Sequence, residues 1–283
     1  MKFGICMFPT EYAMNPAKIG PVLEERGFES LWVAEHTHIP CSRRSPWPGG
    51  DELPKMYYDC FSPLLALTAA GSTTKKLKLG TGIQLVAQHD PITLAKEIAT
   101  LDQITNGRFL FGVGGGWNEE ELGNHYGFAF KRRWKVMRER IEAMKVIWAE
   151  DRAEYHGEFV DFDPIFSWPK PVQKPHPPIH VGGAAPHGIK RALRYGDGWI
   201  PLSGRGDSDL LSDAKTFREM ASQAGRDPDS MELSIYLAPT DQVELGKLRD
   251  AGYTRALFIA LPVAGDEFIK MIDGYAEVVQ KFA

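Results

Sequence analysis

Strand-like and helix-like segments alternate along the whole chain, and this alternation restricts the fold more than any other feature of the sequence. The strand candidates are short and almost continuously apolar, which is typical of parallel strands covered by helices on both faces. Amphipathic helical segments separate them, and the one over 91–105 begins at a proline, which favours a first helical turn. A chain with this pattern belongs to the α/β class.

Eight strand–helix pairs can be counted in the sequence. The predicted strands are 2–8, 30–34, 77–86, 108–113, 178–181, 198–201, 232–236 and 255–260. The predicted helices are 16–26, 61–74, 91–105, 134–150, 186–195, 207–224, 241–251 and 266–282. Eight such units in 283 residues fit a closed barrel better than an open sheet. We therefore predict a single domain, residues 1–283, with the (β/α)8 TIM-barrel fold.

Two segments are too long for a minimal barrel, namely 35–60 and 151–177. Both are rich in proline, and loops of this length in a compact fold are commonly lids or binding loops. We expect both to be insertions at the C-terminal face of the barrel, where barrel enzymes carry out their chemistry. Variable surface insertions are the alternative.

Charge and cysteine content restrict the partners and the compartment. The net charge of −4 argues against a nucleic-acid or membrane-surface binder, because such proteins need a basic face to neutralise phosphates. The three cysteines are an odd number without metal-ligand spacing, which indicates a reducing compartment. The N-terminus resembles a first strand rather than a signal peptide, and no apolar run reaches the ~18 residues that cross a bilayer. We expect a cytoplasmic protein that acts on a small molecule.

Glu35 and His36 directly follow the second predicted strand, which places them at the mouth of the barrel. A histidine there can donate or accept a proton near neutral pH, with a carboxylate alongside to tune it, so both are candidate catalytic residues. A histidine that is hydrogen-bonded in a packed loop is the alternative. The His36-x-His38 spacing also suggests a metal hydrolase, but no carboxylate ends the eighth strand, so we expect no metal.

Two glycine-rich loops follow strands four and five. Gly114, Gly115 and Gly116 lack a Cβ and let backbone amides approach the edge of a ring or an anion. Gly182, Gly183 and Ala184 open a helix, whose exposed amides form a phosphate seat, although a tight turn also needs glycine. The basic run 131–133 is either a solvated helix face or the exit of an anionic cofactor tail.

Four stretches resemble the luciferase-like monooxygenase superfamily and, within it, the oxidoreductases that depend on coenzyme F420, a deazaflavin. They are residues 27–36, 77–117, 168–183 and 193–201, and together they span nearly the whole chain in order. The resemblance implies a bacterial-luciferase-like barrel and an oxidoreductase. We also expect a homodimer, because closed two-fold dimers are the commonest assembly of soluble proteins.

The resemblance further implies roles for particular residues. His36, beside Glu35, matches the acid–histidine pair near the reactive face of the ring. Thr81, Gly82 and Ile83 match a bulge in strand three, where the family has a non-prolyl cis peptide under the ring, here Gly82–Ile83. The loop 114–116 matches the side of the ring and its ribityl chain, and 182–184 match the phosphate seat.

The choice of cofactor stays open at this point. Many F420 enzymes have Asp before the histidine, whereas Glu-His is frequent among FMN-dependent monooxygenases. The loop over 112–117 and the segment 168–183 favour F420, with FMN as the alternative.

The expected reaction is hydride transfer between the deazaflavin and a small, apolar organic substrate, with His36 as proton donor or acceptor oriented by Glu35. Reduced cofactor would come from a separate reductase or an F420-reducing dehydrogenase. An FMN-dependent monooxygenase that uses reduced flavin and O2 is one alternative, and a non-catalytic flavin-binding barrel is another. Five aromatic residues suit an apolar substrate pocket, namely Trp47, Tyr57, Tyr58, Trp117 and Trp168.

Overall fold

Eight parallel strands close into a barrel in the computed structural model, which describes residues 1–126, 129–204 and 209–282. The barrel strands, in their order around the ring, are β1 (Lys2–Met7), β2 (Ser30–Val33), β3 (Lys78–Thr81), β4 (Phe109–Val113), β7 (Ile179–Gly182), β8 (Gly198–Ile200), β9 (Glu232–Tyr236) and β10 (Arg255–Ala260). Strands β5 (Ala153–His156) and β6 (Asp161–Ile165) form a separate antiparallel hairpin. The predicted eight-stranded barrel is confirmed.

One helix on the outside of the barrel follows each barrel strand. These helices are α1 (Pro16–Glu25), α3 (Pro63–Ser72), α4 (Pro91–Ile104), α6 (Arg133–Ala149), α7 (His187–Tyr195), α8 (Leu210–Gln223), α9 (Gln242–Asp250) and α10 (Gly265–Phe282), while α2 (Met56–Asp59) and α5 (Glu119–Tyr126) lie in the loops after β2 and β4. The first residues predicted for the sixth helix, Asp207 and Ser208, lie outside the described residues.

Side-chain caps fix the starts of several of these helices. Asn15, Asp90, Asp209 and Asp241 each precede a helix and accept a hydrogen bond from a backbone N–H of its first turn. Such a cap satisfies a donor that has no partner within the helix and typically contributes about 1 kcal/mol. The sequence itself therefore marks where these helices begin.

Trp32 fills the interior of the barrel. Its side chain is fully buried, and its indole Nε1 donates to the Ser30 hydroxyl at 2.9 Å. Two neighbouring strands provide glycine where the ring lies: a Cβ on Gly80 would be 2.4 Å from the indole, and one on Gly112 would be 3.1 Å from it. A large residue on one strand is therefore matched by absent side chains on the next two, as close packing of a small barrel requires.

A charged cluster closes the N-terminal end of the barrel. Arg255, which is fully buried, donates to both carboxylate oxygens of Glu29 at 2.9 Å and to Glu232 at 2.9 Å. His180 on β7 lies 3.5 Å from the Glu232 carboxylate, but neither of its ring nitrogens has a hydrogen-bond partner. Burial and the nearby positive charge of Arg255 lower the pKa of His180 to about 4.

The two insertions lie at opposite ends of the barrel, so one prediction about them is wrong. Residues 35–60 follow β2 and, with α2, cover the C-terminal rim. Residues 151–177 join α6 to β7, and such a connection must return to the N-terminal end of a parallel strand. Gln173 accordingly bonds the carbonyl of Phe109, at the start of β4. This second insertion does not border the cavity at the C-terminal rim.

In the part of the chain that the structure describes, no helix combines the length and the apolar character that a membrane span needs.

The buried His180 predicts an acid-dependent loss of stability. Its pKa is about 4 in the folded protein and about 6.5 when unfolded, so below pH 6.5 the unfolded chain binds a proton that the folded chain excludes. This contribution should lower the free energy of unfolding by about 2–3 kcal/mol between pH 7.5 and pH 4.5. Urea unfolding at both pH values should show a smaller loss for His180→Phe than for the wild type.

His187, which is exposed at the start of α7, provides the control. His187→Phe should keep the pH dependence of the wild type. An equal loss of stability in His180→Phe and in the wild type would contradict this assignment. It would show that His180 binds a proton as readily in the folded chain as in the unfolded chain.

Candidate active site

A cavity of about 880 Å³ opens at the C-terminal ends of the barrel strands. Its wall is mostly apolar, and the loops after β2, β3, β4, β7 and β8 contribute most of the residues that border it. Of the predicted site residues, the following border it: Glu35, His36, Gly82, Ile83, Gly114, Gly115, Gly116, Gly182, Gly183 and Ala184. The structure thus brings together four sequence segments that are far apart in the chain, on the face where barrel enzymes hold their substrates.

His36 is held by Glu121 of α5, and not by its neighbour Glu35. The Nδ1 atom of His36 lies 2.8 Å from one carboxylate oxygen of Glu121, and the backbone N–H of Thr37 donates to the other at 3.1 Å. Both side chains are nearly inaccessible, with 6% and 1% of their surfaces exposed. Because an ionised carboxylate only accepts hydrogen bonds, Nδ1 carries the proton, and Nε2 is the ring nitrogen that remains for a ligand.

Glu35 instead supports the chain segment that follows β3. Its Oε2 accepts from the backbone N–H of Leu85 at 2.5 Å, and its Oε1 accepts from the side-chain amide of Gln84 at 2.7 Å and lies 2.8 Å from Nε2 of His89. The prediction that Glu35 orients His36 is therefore wrong. Consecutive side chains along an extended chain point to opposite sides. Glu35 and His36 therefore face different neighbours and not each other.

The charge of Glu35 changes the titration of His89. Burial of His89 disfavours its charged form, but the hydrogen bond and the negative charge of Glu35 outweigh this effect and raise the pKa of His89. Glu35 thus holds the imidazole of His89 as well as a backbone amide. We interpret this carboxylate as a scaffold for residues 84–89.

The chain leaves β3 through a cis peptide bond between Gly82 and Ile83, as the family resemblance implied. This bond lies at the cavity. The strand that was predicted to continue to 86 ends at Thr81. Thr81 itself is fully buried and does not border the cavity. Its hydroxyl donates to the carbonyl of Gly112 at 2.7 Å. Thr81 therefore ties β3 to β4 beneath the site.

The glycine loops allow close approaches on one side of the cavity. A Cβ on Gly114 would lie 1.7 Å from the Ile83 side chain, and one on Gly115 would lie 2.7 Å from the ring of Trp134. Gly183 has a φ of +126°, which an L side chain rarely adopts, and α7 begins four residues later. The turn over 182–184 therefore exposes backbone at the start of a helix, where anions are favoured.

Three of the five predicted aromatic residues border the cavity, namely Trp47, Tyr57 and Trp117. Tyr57 and Trp117 also contact the His36 ring, with centroids 5.3 Å and 5.7 Å away. Tyr58 and Trp168 are about half exposed, at 48% and 55%, and lie outside it. Trp168 belongs to the second insertion, which explains its distance from the site.

A second acidic residue of α5 fastens the first insertion over the cavity. The Glu120 carboxylate accepts from the Ser42 hydroxyl at 3.2 Å, from the Ser45 backbone N–H at 3.1 Å and from the Ser45 hydroxyl. Although burial opposes the charged form, these hydrogen bonds lower the pKa of Glu120 to about 2. The loop that carries Trp47 is thereby tied to α5.

Sequence reasoning missed Glu121 and Gln84. Glu121 stands in the acidic run 119–121 at the start of α5, and that run was a usable signal, because the helix follows β4 on the catalytic face.

The two histidines of His36-x-His38 have different partners, since Asn124 donates to His38 at 2.9 Å. Within the ranges described, no three histidine, cysteine or acidic side chains are grouped to hold a metal ion.

Removing the Glu35 carboxylate tests its structural role. Glu35→Ala leaves the buried N–H of Leu85 and the Gln84 amide without their acceptor, so the free energy of unfolding should fall by about 3 kcal/mol. Exchange of the Leu85 amide with solvent should accelerate. Glu25→Ala, at an exposed position of α1, should change stability by no more than about 0.5 kcal/mol. Unchanged protection of the Leu85 amide in Glu35→Ala would contradict this assignment.

Comparison with known proteins places the chain in a family. Residues 3–242 match the model of the luciferase-like monooxygenases. An uncharacterised protein of Mycobacterium tuberculosis is 39% identical over 264 residues, which cover 91% of each chain. The F420-dependent glucose-6-phosphate dehydrogenase of Nocardia farcinica is 30% identical over 224 residues, covering 77% of this chain but 62% of that enzyme's length. The crystal structure of monooxygenase RslO1 from Streptomyces bottropensis has the same fold, with a TM-score of 0.80 at 20% identity and full coverage of both chains. The chain therefore belongs to the luciferase-like monooxygenase family and is an oxidoreductase with a luciferase-like barrel.

Proposed function

We propose that this protein is an F420-dependent oxidoreductase that transfers a hydride between the deazaflavin and a small, apolar organic substrate. The observation that carries the proposal is the shared cavity, in which His36, the segment Gly82–Ile83 and both glycine loops face the same space. A proton-transferring side chain, a support for a flat ring and an anion seat are the parts that such a reaction needs.

The residues that border the cavity fit a flavin-type cofactor. A volume of about 880 Å³ accommodates a three-ring system with its side chain and leaves room for a small substrate. The bulge at 82–83 would lie against the ring, the loop 114–116 beside it, and the turn 182–184 at the phosphate. Thr81 supports this arrangement from beneath through its bond to Gly112.

The residues of the chain then divide the work of the reaction. The deazaflavin, when bound, supplies the carbon that donates or accepts the hydride. His36 donates a proton to the substrate oxygen, or accepts one from it, through Nε2. Glu121 positions this imidazole by holding Nδ1–H, and Glu35 positions residues 84–89. The loop tied down by Glu120 excludes water, while Tyr57 and Trp117 form apolar walls next to His36.

Two observations favour F420 over FMN. A relative at 30% identity is named as an F420-dependent dehydrogenase. The loop over 112–117 and the segment 168–183 also resemble the F420-dependent branch, whereas the glutamate before His36 is more frequent among FMN-dependent enzymes. An FMN-dependent monooxygenase is the second candidate, supported by the family to which the chain belongs. The proposal includes a cytoplasmic homodimer and a separate enzyme that supplies reduced cofactor.

Cofactor titrations test the proposal. The purified protein should change the absorbance of F420 saturably and bind FMN at least about tenfold more weakly. With a panel of small alcohols and ketones, His36→Ala should lower kcat by roughly 100-fold or more while the Kd for F420 stays within a few-fold, because the proton transfer is lost but the ring seat is intact.

Glu121 is tested as a positioning residue. Glu121→Gln should lower kcat by roughly 10-fold or more without changing KM or Tm, and Glu121→Asp should restore part of the lost kcat.

Tight FMN binding without F420 binding would overturn the choice of cofactor. Cofactor binding with turnover that is unaffected in His36→Ala would remove the proposed role of His36.

A further inference from the structure

Leu237, directly after β9, has a backbone conformation that leucine rarely adopts. Its φ is +59°, in the left-handed region, where a Cβ crowds the carbonyl oxygen that follows it. Asn106 also has a positive φ, but asparagine is tolerated there and often ends a helix in this way. For a bulky side chain the same conformation is an outlier. It persists only where the surroundings impose it, often at functional sites.

Backbone hydrogen bonds on both sides of Leu237 hold this conformation. The N–H of Ser203, after β8, donates to the carbonyl of Tyr236 at 2.9 Å. The N–H of Ala238 donates to the carbonyl of Leu257, on β10, at 2.9 Å. Along an extended strand neighbouring side chains point to opposite faces, so only one of two consecutive residues would face the cavity. Because the chain turns at Leu237, both Tyr236 and Leu237 border it.

Leu237 belongs to the apolar end of the cavity, which we define by Phe8, Tyr236, Leu237 and Ile259. These residues lie at the ends of β1, β9 and β10, and all of them border the cavity. Strands β1 and β10 lie across the ring from β7 and β4, whose glycine loops the proposed cofactor would occupy. The hydroxyl of Tyr236 is buried, so its ring is the part that faces the cavity. The apolar end is therefore left for a hydrocarbon part of the substrate.

The apolar end adjoins the residues proposed for the reaction. The ring centroid of Tyr57 lies 4.5 Å from that of Phe8 and 5.3 Å from that of His36. On the other side, a Cβ on Gly82 would lie 3.0 Å from the ring of Tyr236. A substrate that places its oxygen at His36 can therefore extend a hydrocarbon chain into the apolar end.

We infer that Leu237 determines which substrates fit, because its side chain, turned into the cavity by the positive φ, ends the space that is open to the substrate's hydrocarbon chain. The reaction rests on the proposed function, whereas the pocket rests on the backbone of Leu237 and the residues around it. The substrate class that this end accepts is a neutral alcohol or ketone with one straight alkyl chain. Each CH2 group that finds apolar room strengthens binding about fourfold, so this wall selects substrates by chain length.

Secondary alcohols with one methyl group and one straight chain of increasing length test the inference. In the wild type, kcat/KM with F420 should rise with chain length and then fall once the chain reaches Leu237. Leu237→Ala should move this optimum by about two to three carbon atoms and raise kcat/KM for the longest substrates by roughly 10-fold or more. Leu237→Gly should move the optimum likewise. It should have the higher Tm of the two variants, because glycine adopts a positive φ without strain.

Leu261→Ala is the matched control, because Leu261 follows β10 but is 53% exposed and does not border the cavity. It should keep the optimum of the wild type. The inference is overturned if Leu237→Ala and Leu237→Gly keep that optimum, if Leu261→Ala moves it equally, or if Leu237→Gly has the lower Tm.

Binding measured without turnover separates the inference from the proposed function. The alcohols should quench tryptophan fluorescence, because Trp47 and Trp117 border the cavity, and Leu237→Ala should again prefer the longer chains. If F420 is neither bound nor reduced while this preference still depends on Leu237, the proposed function fails and the pocket stands. If the alcohols reduce F420 with the same chain-length preference in every variant, the proposed function stands and the role of Leu237 fails.

Discussion

The rest of this structure depends on filling a closed barrel of eight parallel strands. A barrel of this size has an interior that side chains must occupy completely, and here Trp32 occupies it because Gly80 and Gly112 provide no side chain where the indole lies. With the interior packed, the C-terminal ends of all the strands are held at fixed distances from one another. The loops that build the cavity start from these fixed points.

Carboxylates then organise the rim. Glu35 lies in the loop after β2, and Glu120 and Glu121 lie in α5, after β4. Each satisfies a backbone N–H of another segment: that of Leu85 for Glu35, of Ser45 for Glu120 and of Thr37 for Glu121. Loops at a barrel mouth have few backbone partners of their own, so buried acceptors of this kind determine their shape. The acidic residues nearest to His36 thus act mainly on the surrounding chain, and only Glu121 bonds the imidazole.

The two sides of the cavity differ in charge. The side of β2 and α5 carries the carboxylates and His36, whereas on the side of α6 and α7 the guanidinium groups of Arg133 and Arg191 lie against Trp134, which borders the cavity. A ligand with an anionic tail and a neutral, reactive end is oriented by this difference before any specific contact forms. The charge distribution and the placement of His36 therefore favour the same orientation of a flavin-type cofactor.

The sequence alone determined the class of fold, the number of barrel strands, the ends of most helices and the glycine loops. These features are local: apolar runs, capping side chains such as Asn15 and Asp90, and glycines act within a few residues of their own position. Its resemblance to a family also predicted the cis bond at Gly82–Ile83. Partners were decided by tertiary structure. His36 and Glu121 are 85 positions apart, and the second insertion lies at the N-terminal end because it joins a helix to a strand. No local pattern distinguishes Glu35 from Glu121 as the partner of His36, since that choice depends on where closure of the barrel places α5.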